Sequence, residues 1–191
     1  MTWTLDPAHS SVTFSVKHMM VTTVRGSLKI RDFALDFDPA APAAGTVRVS
    51  LDADSIDTGQ QSRDVHLRSA DFLATEEHPA IDFVSTAIEP EGDRWAIHGD
   101  LTIRGTTRPV ALDAEYAGTV ANMQGGRSAG FSATTTIDRD DFGLTWNVAL
   151  EQGGWLVSRE IKISIDLEVV AATDAEAETR AEDRERQRIS A

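Results

Sequence analysis

The chain has 191 residues, which at roughly 150 residues per domain is one domain with room for a short appendage. Acids number 31 and bases 18, a net charge of −13, which argues against a nucleic-acid partner because that needs a positive footprint. There is no cysteine, which excludes disulfides, thiol nucleophiles and cysteine-ligated metals. Hydrophobic residues at 41% are enough for a real core or an enclosed cavity, but no apolar run is long enough for a membrane-spanning helix. The opening residues Met1 to Asp6 show neither the basic region nor the apolar stretch of a signal peptide, so a cytoplasmic location is expected.

In chain order, Val12, Phe14, Val16 and His18 repeat with a period of two, the mark of a strand with one dry face. Arg25 to Phe37 reads as one bent strand or two, and Val47, Val49 and Leu51 share the face of the next. From Asp57 to Pro79 the alternation stops. Arg63 to Leu67 can form a helical turn there, and Ser69 can cap a second. So long an interruption suits a segment covering one end of a barrel. Trp95, Ile97, Leu101 and Ile103 resume the pattern, followed by Val110, Leu112 and Tyr116. The clearest strand, Ile161 to Val169, is nine residues, or roughly 30 Å at about 3.3 Å each. Tight glycine turns and the absence of a helical period between the runs predict eight or nine antiparallel strands in a barrel or sandwich. Residues 171–191 hold four arginines, six acids and one large apolar residue, Ile189, and read as a charged tail, helical and frayed or disordered. The folded domain is therefore 1–170.

Few constellations suggest chemistry. The five histidines show neither helical i,i+4 nor HxH spacing, so no metal site is expected. There is no GxSxG nucleophile turn and no phosphate loop. Asp138, Asp140 and Asp141 read as a solvated turn rather than a glycosidase pair. His18 reads either as a core histidine bonded to a carbonyl or as a polar group at the cavity end of an apolar strand. Arg63, His66 and Arg68 could grip a phosphate head. Alternatively, Arg63 and Arg68 pair with Asp64 and Asp71 and pin the loop. Residue chemistry alone favours a binding protein with no catalytic residues and no cofactor. The predicted cavity wall comprises Phe14, Val16 and His18 from the first strand, Leu101 and Ile103, Phe131, and Ile163, Ile165 and Leu167 from the last.

Several blocks together resemble the YceI-like family of polyisoprenoid-binding proteins: Trp3 to Ser10, Phe14 to Met20, Val24 to Gly26, Asp54 to Thr58, Arg63 to Phe72, His78 to Phe83, Gly99 to Gly105 and Asp138 to Leu144. Each block is weak, but their order and spacing are specific. The resemblance implies an extended antiparallel eight-stranded lipocalin-like barrel holding a long isoprenoid or other amphiphilic lipid. It also implies homodimers in many members and no catalytic residues. The chain departs from the family in lacking an export signal, in Leu73 where a second aromatic is common, and in its charged tail. The expected function is binding, storage or transport of such a lipid. The rivals are an enzyme using the same pocket and a barrel filled by side chains acting as an interaction module.

Overall fold

Alternation of apolar and polar residues persists over most of the chain, and it builds long strands. The computed structural model describes residues 2–123, 125–151 and 153–171; the charged tail predicted over 171–191 lies, apart from Ala171, outside the described residues. Eight strands follow in order: β1 (Thr2–His18), β2 (Thr22–Asp36), β3 (Thr46–Asp57), β4 (Ala80–Glu91), β5 (Arg94–Ile103), β6 (Thr106–Ala121), β7 (Arg127–Asp138) and β8 (Val157–Ala171). Each pairs antiparallel with its sequence neighbours, and β1 pairs with β8, closing a barrel of order β1 to β8. The expected all-β barrel is the fold found, with one short helix, α1 (Gln61–Arg68). The last strand is 15 residues rather than nine, roughly 50 Å of chain at about 3.3 Å per residue.

Bulges keep the apolar side facing in. In β1, Trp3 and Leu5 oppose Ala171 and Val169; the register then shifts between Asp6 and Ser11, and Val12, Phe14 and Val16 take over the inner face opposite Ile165, Ile163 and Ile161. β2 is a single strand with a shift between Ile30 and Asp32, which moves the inward set from Leu28 to Phe33 and Leu35. An extra residue flips the parity of everything after it, so each shift restores rather than breaks the dry face.

Two inward glycines are required by close approach. A Cβ on Gly26 would lie 2.5 Å from the Phe14 ring, and one on Gly99 would lie 2.4 Å from the Phe83 ring. The rings therefore lie against bare backbone.

The two ends differ. At the end holding Trp3, the indole Nε1 donates to the Phe37 carbonyl at 3.0 Å. Phe37, Tyr116 and Phe131 crowd the same end, with ring centroids 5.0 to 5.3 Å apart. At the other end the segment after β3 covers the barrel. It forms α1, but no second helix: Ser69 terminates α1 instead of capping a new one. The Leu73 amide reaches back to the Leu67 carbonyl, and Ala74 takes a left-handed φ of 49°, so the chain curls over rather than running on.

Candidate functional site

All eight strands and the covering segment enclose a single cavity of about 530 Å³, within the range of pockets that bury a small ligand. Every residue predicted for its wall borders it: Phe14, Val16 and His18, Leu101 and Ile103, Phe131, and Ile163, Ile165 and Leu167. Leu101 and Ile103 are buried, whereas Phe14, Ile163 and Ile165 are only half-buried although they point inward. They face open space inside the barrel, which a side-chain-filled barrel would not have. His18 lies at the covered end of β1 and borders the cavity, the polar-group position of its two readings.

The covering segment divides its residues by face. Leu67, Phe72 and Leu73 border the cavity, whereas Val65 is 60% exposed on the far side of α1. Arg63 and His66 also border the cavity, together with Gln60 and Ser62; Arg68 is not among the lining residues. The Arg68 guanidinium instead donates to the carbonyls of Asp54 at 2.7 Å and Ile56 at 2.8 Å, tying α1 to β3. Arg63 donates to the Thr58 hydroxyl at 2.7 Å and the Thr58 carbonyl at 2.9 Å, while the buried Asp64 accepts the Thr58 amide at 3.0 Å. The loop is thus pinned mainly through backbone groups and Thr58, rather than by Arg63 and Arg68 pairing with Asp64 and Asp71. His66 Nε2 sits 2.8 Å from Asp71, and its ring stands edge-on to Trp146 at 4.6 Å and to Phe72 at 5.1 Å. Gln60, Ser62 and Trp146 carry no sequence signal for this placement, because a two-turn helix and an irregular loop deliver them and neither shows the strand alternation.

A second anchor stands at the covered end. Arg139 is 2% exposed and donates to the carbonyls of Ser158, at 3.0 Å, and Leu144. Burial pulls its pKa down, while Asp140 and Asp138 push it back up. Arg159 bridges Asp138 and Asp140, at 2.9 Å to each, so these acids hold a loop rather than standing free in a solvated turn.

The covered end, where His18, Arg63, His66 and Leu156 border the cavity, is the mouth, and it has an apolar rim. Val21 is 77% exposed, Met20 65% and Trp155 54%. Met19 and Met20 have left-handed φ values of 51° and 63°, a backbone state that costs non-glycine residues on the order of 1 kcal/mol or more each.

On the outer wall, in the β1 bulge, Asp6, His9 and Glu168 bring their ligand atoms within 4.8 Å of one another. The 2.9 Å bond between His9 Nδ1 and Asp6 accounts for this geometry without an ion. That bond raises the His9 pKa, with Glu168 adding to the effect, and lowers that of Asp6. The His9 contribution to stability is fully present below its ordinary value of 6.5 and is lost as pH rises through the raised folded value. The Asp6 contribution is present above 3.8 and is lost as pH falls through the lowered value. The pair is at full strength between those values. His9→Ala is expected to flatten the decline in stability on the alkaline side. Thermal unfolding of both proteins as pH rises from below 6.5 through the raised folded value checks it, and parallel curves would reject the assignment.

The comparisons with known proteins agree with this architecture. The YceI-like domain family matches residues 3–169. Protein YceI of Escherichia coli O157:H7 is 38% identical over 162 residues, covering 85% of this chain and 82% of that protein. The crystal structure of Burkholderia cenocepacia BcnA has a TM-score of 0.74 at 27% identity, covering 89% of this chain and all of that one. A domain of Saccharophagus degradans, described as a polyisoprenoid binding domain, shares the fold at a TM-score of 0.61 and 12% identity, over 90% of this chain and 98% of that one. Matched along nearly the whole barrel, and with its strands closed around an open bore, the chain belongs to the YceI-like family.

Proposed function

We propose that the barrel binds one long apolar chain of isoprenoid type, tail inward, to store or carry it. The observation that carries this reading is the unfilled cavity, walled by apolar side chains from every strand. Each buried CH₂ contributes about 0.8 kcal/mol, so a prenyl chain needs few polar contacts to be held. The ligand class agrees with the description of the Saccharophagus degradans neighbour, which has the same fold. The head group lies at the covered end, where Arg63 and His66 border the cavity beside His18 and Ser62. Arg68 serves there as a positioning residue, holding α1 in place through β3.

Mass spectrometry of organic extracts from the purified protein tests the proposal. A prenyl-chain lipid is expected in stoichiometric amount, or is taken up when a polyprenol is added. The absence of both co-purification and uptake would overturn it. Arg63→Ala then tests the head-group placement. Loss of a charged hydrogen bond at about 1.5–3 kcal/mol should weaken a polyprenyl phosphate tenfold or more and spare the uncharged alcohol. Equal weakening of both would assign Arg63 to holding the loop.

A further inference from the structure

The exposed apolar residues are not spread evenly. Among the described residues nine large hydrophobics are exposed, and six of them lie at the covered end of the barrel: Met19, Met20, Val21, Val65, Val148 and Trp155. Five of these form one continuous ridge. The Met19 amide donates to the Leu156 carbonyl at 2.8 Å, and the Leu156 amide donates to the Val148 carbonyl at 2.9 Å. Ala149 bridges Trp155, and the Met20 side chain lies against Gly154. The turn between β1 and β2 is thus stitched to the hairpin that precedes β8. His18, Leu156 and Val157, interleaved with the ridge in sequence, border the cavity.

Charge sets the ridge apart. Residues 18–22 and 145–157 contain no lysine or arginine and a single acid, Glu151, in a protein of net charge −13. Water is a poor environment for such an edge, and a strongly anionic lipid surface would repel the rest of the molecule. An uncharged headgroup region accepts both. Tryptophan and methionine suit it, since the indole has an apolar body with one polar N–H, and aromatic residues favour the membrane–water interface. The strained turn supplies a second, independent observation. Two consecutive left-handed residues are methionines rather than glycine or asparagine, and they hold their side chains outward at the mouth.

We propose that this ridge docks the barrel, mouth down, on a zwitterionic lipid surface, so that an apolar ligand passes between bilayer and cavity without crossing water. The inference rests on the reading of the cavity as a lipid site, and the experiment separates the two.

The full chain is incubated with phosphatidylcholine vesicles and compared with a Met20→Glu/Trp155→Glu double variant, whose substitutions are exposed and do not border the cavity. The wild type is expected to co-sediment with the vesicles, and the variant to bind at least tenfold more weakly. Adding phosphatidylglycerol should weaken wild-type binding at low salt and salt should restore it. Transfer of a fluorescent prenol from vesicles should accelerate with vesicle concentration for the wild type and run at least tenfold slower for the variant. Occupancy by prenol added from solution should be equal in the two, which also shows that the variant is folded. A wild type that ignores the vesicles, with transfer independent of their concentration, overturns the docking. So does a variant whose only change is loss of a dimer in light scattering, which assigns the ridge to a second copy. Vesicle binding with no prenol uptake by either protein keeps the docking and removes the cavity reading.

Discussion

Arg139→Met should lower the free energy of unfolding by about 3–5 kcal/mol, the range for removing one partner of a buried charged network. The guanidinium is 2% exposed and donates to the Ser158 and Leu144 carbonyls. Methionine fills similar space but leaves both carbonyls without that donor, and it leaves Asp138 and Asp140 with Arg159 as their remaining cation. Neither loss is relieved by water at so buried a position, which is why the effect exceeds that of an exposed ion pair. Arg139→Lys should recover only part of it, because a single ammonium cannot reproduce the planar fork that serves two carbonyls. Urea unfolding of the three proteins gives the comparison. A loss below about 1 kcal/mol for the methionine variant would show that the anchor is dispensable.

Ile163→Trp should block the bore. Ile163 sits midway along β8, opposite Phe14 in the register, half-buried because it faces open space. An indole there projects into the cavity and displaces part of the ligand chain. If three methylenes lose their burial, at about 0.8 kcal/mol each, affinity for a long prenol falls by roughly fiftyfold. The wall has room for the ring, so unfolding stability should change by less than about 1.5 kcal/mol. Titration of a fluorescent polyprenol, with a short prenol as control, reads the effect. A long prenol bound as tightly as before would mean that the chain occupies another part of the molecule.

The inner face was legible wherever the period of two ran unbroken. Trp95 to Ile103 and Ile161 to Leu167 contain no register shift within their apolar runs, so their cavity residues follow from alternation alone. The bulged strands were not legible in the same way. Phe33 and Leu35 have the opposite parity to Leu28, and only the hydrogen-bond register reveals that both sets face inward. The length of β8 was underestimated because Val157 to Glu160 does not alternate, although it pairs with β1 and β7. In the covering segment the charges could be counted, but the atoms that capture them could not. Arg68 is held largely by carbonyls, which have no side-chain signature, and Arg63 by a threonine five residues earlier. Trp146, in an irregular loop, meets His66 of α1, a long-range contact that local pattern does not encode.

The closing seam between β1 and β8 bears on the order in which the barrel is made. Seven of the eight strand pairs join sequence neighbours and can zip as each hairpin leaves the ribosome, but the eighth joins the first strand to the last. At roughly 5–20 residues per second of synthesis, Thr2–His18 waits roughly 8–30 seconds for Val157–Ala171 to emerge. During that wait the growing sheet has two open edges and exposes the apolar face that later surrounds the bore. Both are hazards for edge-to-edge association. Translation pausing late in the message should therefore lower the soluble yield sharply, whereas a pause before β5 leaves a smaller sheet exposed and should do less harm.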